Sequence, residues 1–129
     1  MKKSKNIQTK IKELSLGDNR LETDLAHLYF QSFLDLKEKY ASGIRTKNSE
    51  CIRFIRHKYR SSFFMLGLTE LQLIIDNSSD LLAPDTPPIA TQRSVEKVSK
   101  LCDQVLKQLL RAYPSLNEAY SLRPGQAFV

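Results

Sequence analysis

Residues 56–67 read RHKYRSSFFMLG. This stretch sets His57, one of only two histidines in the chain, among Arg56, Lys58 and Arg60. Ser61 and Ser62 follow, then apolar residues, then Gly67. A neutral imidazole is a good nucleophile toward phosphorus. An unperturbed histidine, with a pKa of about 6.5, is mostly neutral at pH 7. Nearby cations disfavour adding another positive charge, and guanidinium groups bind phosphoryl oxygens in a fork. A basic crowd around such a nucleophile therefore preserves it and stabilises its phosphorylated product.

That chemistry requires an imidazole that points into solvent. The apolar spacing over residues 48–66 predicts a helix, capped by Asn48 or Ser49 and closed by Gly67. With about 100° per residue, Arg53, Arg60, Ser61 and Phe64 fall within about 60° of His57. Ile52, Ile55, Tyr59, Ser62, Phe63 and Leu66 cluster opposite and are the expected core face. His57 is thus expected outward, midway along the helix. Ser61 is small and leaves the imidazole edge open one turn on. Phe64 is a large apolar side chain on an otherwise polar face. It is the expected anchor for a docking protein, with Arg53 and Lys58 beside it.

The other elements must hold this helix. Ile7, Ile11 and Leu14 predict a short helix over residues 5–15, followed by a break at 15–19, where Asp18 or Asn19 can cap the next helix. Residues 20–44 carry a long helical pattern with a stripe of Leu21, Leu25, Leu28, Ser32, Leu36 and Tyr40. Phe30, Leu34 and His27 lie near its opposite side. Phe30 and Leu34 are read either as further docking residues or as packing under the N-terminal segment, and His27 as a surface residue. Gly43 and Thr46-Lys47-Asn48 are expected to end this helix. Thr69 is expected to cap a shorter helix through Leu71, Ile74, Ile75 and Ser78. Pro84, Pro87 and Pro88 mark a non-helical linker over roughly 81–92. Val95, Val98, Cys102, Val105, Leu109 and Ala112 give the stripe of a last long helix over 93–112, ended by Pro114. Residues 115–122 read as one more short turn. Four amphipathic helices with mostly short connections favour an all-α antiparallel up-down four-helix bundle with a short extra N-terminal helix. Residues 1–122 are expected to form one domain and 123–129 a loose tail.

Composition narrows the function classes. The chain has 129 residues, four glycines and no tryptophan, with 41% hydrophobic and 26% charged residues. Alternating apolar–polar runs are scarce, which disfavours a sheet. The net charge is +6 and the pI about 9.4. Lys2-Lys3-Ser4-Lys5 is the one local run, and the remaining charge is spread, as on a solvated basic surface that favours acidic partners. No recognition-helix pattern or regular interleaving of aromatic and basic residues supports nucleic-acid binding. No secretory segment and no run of 18 apolar residues points to a membrane. Cys51 and Cys102 are far apart and read as reduced thiols of a cytoplasmic protein. No Cys/His cluster has metal-ligand spacing. No GxxxxGK[ST] loop is present to draw on ATP. A monomer is expected, and the initiator Met1 is expected of a free-standing protein.

The histidine segment also resembles a known family. His57-Lys58-Tyr59-Arg60-Ser61-Ser62, with Gly67 ten residues after the histidine, is similar to the signature of histidine-containing phosphotransfer domains. Leu16-Gly17-Asp18, the run Asn48 to Ile55, and Leu71 with Ile74 extend the likeness to about residues 14–82. The resemblance implies His57 as phosphoryl acceptor, Arg60 as its cationic support, Ser61 as the small access position, Ser62 as the inward serine and Gly67 as the helix-ending glycine. It implies a phosphorelay intermediate of two-component signal transduction, a carrier rather than an enzyme, with no cofactor of its own. Its partners would be receiver domains, which supply Mg²⁺, or a hybrid sensor histidine kinase. A non-catalytic helical adaptor using the same face is the alternative. The sequence departs from the family pattern at several positions. Arg60 replaces a lysine, Ser61 a glycine, Arg56 a small apolar residue and Tyr59 an aliphatic one. The glutamine that orients the imidazole in some members falls at about Ser79, leaving Gln72 or Asp76 as substitutes.

Overall fold

Asn6 opens the first helix: its Oδ1 accepts from the Thr9 N–H at 2.8 Å, pairing a donor that every helix start leaves free. The computed structural model describes residues 6–119. The Lys2–Lys5 run, the end of the expected 115–122 turn and the 123–129 tail lie outside them. Among the described residues the chain is all-helical, with no strand. Its elements are α1 (Ile7–Leu14), α2 (Asn19–Arg45), α3 (Ser49–Leu66), α4 (Thr69–Asp76), a 3₁₀ turn (Ser78–Leu82), α5 (Pro88–Ala112) and α6 (Ser115–Ala119). The chain divides into two compact units, one of residues up to Phe33 together with those from Asp103, the other of Leu34–Cys102.

In the first unit, Asp18 Oδ1 accepts from the N–H groups of Arg20 and Leu21 and starts α2. Ile7, Ile11, Ala26, Tyr29, Phe30, Phe33, Val105, Leu106, Leu109 and Leu116 are buried. This corrects the expected stripe of α2. Leu28 is 58% exposed and Leu21 is exposed, whereas Phe30 has no exposed surface. Phe30 is therefore a core residue and no docking residue. The aromatic side chains remove more apolar area from water than the leucines do, so they take the inward side. The Tyr113 hydroxyl donates to Glu22 Oε2 at 2.6 Å. Burial and that carboxylate push its pKa up. His27 is half-buried rather than a plain surface residue, with Nε2 3.4 Å from Ser115 Oγ.

The second unit contains the histidine helix. Ile52, Ile55, Tyr59, Phe63 and Leu66 of α3 are buried, as are Leu36, Tyr40, Ile44, Leu71, Ile75, Val95, Val98 and Cys102. Asn48 caps α3 by accepting from the Cys51 N–H at 3.0 Å. Gly67 ends it with a left-handed φ of 69°, and the Leu68 N–H reaches back to Phe63 O at 2.8 Å. Glycine suits this position because it has no Cβ to strain there.

Gly43 does not end α2 but lies within it. A Cβ there would meet Cys51 Sγ at 2.9 Å and Ile52 Cδ1 at 3.0 Å, so glycine lets α2 approach the start of α3. The helix ends at Arg45, just before the expected Thr46-Lys47-Asn48 break, where the left-handed φ of 52° at Lys47 turns the Asn48 N–H onto Gly43 O at 2.9 Å. Thr69 is no cap either. Leu68 occupies that position and makes no side-chain cap bond. The proline segment is shorter than expected, because α5 begins at Pro88, and the first turn of a helix needs no N–H from that residue. A hydroxyl chain ties four elements together: α2, α4, the 3₁₀ turn and α5. Ser78 Oγ donates to Ile74 O at 2.7 Å and so accepts from the Tyr40 hydroxyl at 2.7 Å, which leaves Ser94 to donate to Tyr40 at 2.6 Å.

Candidate functional site

The site is built on the face of α3 that the core does not claim. Ile52, Ile55, Tyr59, Phe63 and Leu66 recur at three- and four-residue spacing and go inward, so His57, two residues before Tyr59, faces solvent. His57, Arg53, Lys58, Arg60, Ser61 and Phe64 are all exposed. Among the described residues His57 makes no side-chain hydrogen bond, and neither Arg53 nor Arg60 pairs with a carboxylate. The expected orienting bond is therefore missing. Gln72 and Asp76 are half-buried and Ser79 is exposed, and none of them bonds the imidazole. Ser62 is half-buried, on the inward side of the helix.

Each side chain near His57 takes a definite position. The Ser61 hydroxyl turns toward the C-terminal end of α3, 3.8 Å from Met65 Sδ. Phe64 is 79% exposed, with Met65 exposed next to it. Lys58 is exposed. Its ammonium lies over two rings, 5.6 Å from the Phe54 centroid and 5.4 Å from that of Tyr59. Arg56 is half-buried, and its Nε is enclosed without a hydrogen-bond partner.

Two residues were missed in the sequence. Phe54 is 52% exposed, one turn before His57. Lys39, from α2, places its ammonium 5.9 Å from the same ring. The helical wheel carries the signal for Phe54, which lies about 60° from His57. No sequence rule carries Lys39, which is on another helix. Leu34, the weaker docking candidate, is half-buried and lines an open groove of about 700 Å³ with Lys37, Ala41, Arg45, Val95 and Ser99.

Beneath the exposed face lies Tyr59, a buried phenol in the core of the unit. Its ring stacks on Phe63 with centroids 6.2 Å apart. Its hydroxyl is buried and has no hydrogen-bond partner. Burial first, then the negative charge of Asp35 and the thiol of Cys102, push its pKa up to about 12.

The arrangement offers an open nucleophile and unpaired cations, with no general acid or base bonded to the imidazole. Chemically, such an arrangement can receive and hold an anionic group. Among the described residues no group of three or more His, Cys, Asp or Glu could hold a metal ion. Among them no helix is long and apolar enough to cross a membrane. Comparison with family models, with curated proteins and with solved structures gives no match.

Proposed function

We propose that the protein is a phosphorelay carrier. His57 accepts a phosphoryl group from the phosphoaspartate of a receiver domain and passes it to another receiver domain in two-component signal transduction. The observation that supports this most is the exposed His57, mid-α3, with no side-chain partner and with unpaired Arg53 and Arg60 on the same face. In the forward step one imidazole nitrogen attacks phosphorus. The N–P bond forms as the P–O bond of the acyl phosphate breaks, the aspartate leaves as carboxylate, and the proton on the other ring nitrogen goes to solvent. Charge spreads over the three equatorial oxygens. Arg60, one turn after His57, and Arg53, one turn before it, stabilise that charge. Ser61 keeps the approach open, and Phe64 supplies an apolar contact. Mg²⁺ belongs to the receiver. On this reading the protein is a carrier rather than an enzyme.

On this reading α2, α3, α4 with the 3₁₀ turn, and α5 are the members of an antiparallel up-down four-helix bundle, and α1 is the extra helix. The protein would work as a monomer in the cytoplasm.

The test is incubation with phosphorylated receiver domains and Mg²⁺, followed by intact mass measurement. An acid-labile adduct of one phosphoryl group on the wild type, absent from His57→Gln, is the expected result. An adduct that survives in His57→Gln overturns the assignment of the acceptor. A receiver that binds this face equally well whether or not it is phosphorylated, and transfers nothing, favours the adaptor.

A further inference from the structure

Phe54 is a large ring left half in water beside a candidate reaction centre. Its surroundings are the informative feature. Lys39 from α2 and Lys58 from α3 hold their ammonium groups over it at 5.9 and 5.6 Å. Neither lysine pairs with a carboxylate among the described residues. Within residues 53–60 the chain carries Arg53, Arg56, Lys58 and Arg60 and no acidic residue. The carboxylate of α3 nearest in sequence is Glu50, one turn before Phe54. A cation over an aromatic face gains about 0.5–1 kcal/mol at an exposed site. That weak attraction fixes where the two charges stand and leaves both free to take an anion.

Phe54 lies three residues before His57, about 4.5 Å along the helix axis. A protein close enough to deliver a phosphoryl group to His57 covers the ring as well. Binding hot spots are large side chains that pack into the partner and are ringed by contacts that exclude water, and complementary charge around them selects and steers the partner.

We propose that Phe54, with Lys39 and Lys58, selects the protein partner of His57. The partner seats an apolar side chain on the Phe54 ring and places carboxylates on the two lysines. This inference rests on His57 being the phosphoryl acceptor. It makes Phe54 a specificity-determining residue of the docking surface, distinct from Phe64 on the other side of His57. Nucleic acid fits the same groups less well. The two ammonium groups over the ring compete with a base for its faces. The next exposed ring of α3, Phe64, is ten residues on, about 15 Å along the axis, too far for successive bases to stack on both.

The experiment compares two donors on the full chain. One is a phosphorylated receiver domain, taken as a panel. The other is phosphoramidate, a small donor that labels histidine with loss of ammonia and needs no docking surface. Phe54→Ala, Phe54→Leu and the double variant Lys39→Glu/Lys58→Glu are compared with wild type. The ratio of receiver labelling to phosphoramidate labelling is expected to fall about tenfold in Phe54→Ala, the size of a docking hot spot. The fall should lie in KM for the receiver rather than in kcat. Phe54→Leu should recover part of it, and the charge reversal should lose more than Phe54→Ala. An unchanged ratio in both Phe54→Ala and the charge reversal overturns the proposal. Losses equal for the two donors overturn it too, because they place the effect on His57 or on the fold. Release of a single-stranded oligonucleotide by Phe54→Ala, with receiver labelling unchanged, overturns it in favour of a base-stacking surface. If no receiver labels His57, the phosphorelay reading fails and this inference falls with it. Labelling with an unaltered ratio leaves that reading standing and removes this inference alone.

Discussion

The two faces of α3 have divided labour. The inward face is five apolar or aromatic residues at helical spacing, Ile52, Ile55, Tyr59, Phe63 and Leu66, all buried. The outward face is His57, Arg53, Arg60, Ser61, Phe54 and Phe64, all exposed. Stability is concentrated on the first face, because burial removes apolar area from water. The second face contributes little to folding: its cations lack carboxylate partners and its aromatics remain in water. A protein gains little from two exposed phenylalanines on one helix unless something covers them. The difference between the faces supplies a sharp criterion. Outward substitutions should alter transfer and spare the fold, and inward ones should do the reverse.

The largest effect expected is at His57. His57→Gln should abolish the acid-labile phosphoryl adduct in intact mass spectra. The same variant should melt close to wild type, since exposed substitutions away from special features change stability by within about 0.5 kcal/mol. A variant that lost both adduct and fold would break the division of labour. Phe63→Ala is the inward counterpart. Removing a fully buried ring that also stacks on Tyr59 should cost about 3–5 kcal/mol in urea unfolding. Labelling of His57 by a small donor should persist while the protein remains folded.

Arg60→Ala comes next. It removes an unpaired cation one turn from His57 without exposing any buried group. Transfer from a phosphorylated receiver should slow by about ten- to a hundredfold, read from single-turnover rates, with the melting temperature nearly unchanged. Arg60→Lys should restore much of the rate, because it keeps the charge and loses only the planar fork. A rate equal to wild type in Arg60→Ala would remove the guanidinium from the mechanism.

The two faces were legible in the sequence because α3 has a single clear apolar stripe. A wheel over residues 48–66 therefore orients His57 without help. The helix itself is fixed by local chemistry, with Asn48 at its start and Gly67 at its end. The first half of α2 was not legible for the opposite reason. It has two apolar stripes, and periodicity alone does not say whether Leu21 and Leu28 or Ala26, Tyr29, Phe30 and Phe33 go inward. The larger aromatic areas decide it. Pro88 misled because proline disfavours helix interiors but suits a first turn. Lys39 was invisible because its contact with Phe54 depends on tertiary packing between two helices. The bond expected to orient His57 was read from a resemblance, and residues from the following helix do not supply it.

Two buried tyrosines of the same unit carry the smallest effects and sharpen the comparison inside the core. Tyr40 accepts from Ser94 and donates to Ser78. Tyr59 is equally buried, yet its hydroxyl has no partner. The same substitution should therefore have opposite signs. Tyr40→Phe deletes a satisfied hydroxyl and leaves Ser94 without its acceptor, while Ser78 keeps its bond to Ile74, which should cost about 1–2 kcal/mol. Tyr59→Phe removes a buried polar atom that gains no bond, and should be neutral or stabilise by up to about 1 kcal/mol. High pH gives an independent check. The folded-state pKa of Tyr59 is pushed up to about 12 from an ordinary 10. The unfolded chain therefore ionises this phenol first. Stability from this group is complete below pH 10 and is lost as pH rises through 12. In alkaline unfolding monitored by circular dichroism, Tyr59→Phe should move the midpoint to higher pH. A midpoint that stays put, or a clear loss of stability at neutral pH, would mean that the Tyr59 hydroxyl has a partner in solution and that the inward face of α3 is polar as well as apolar.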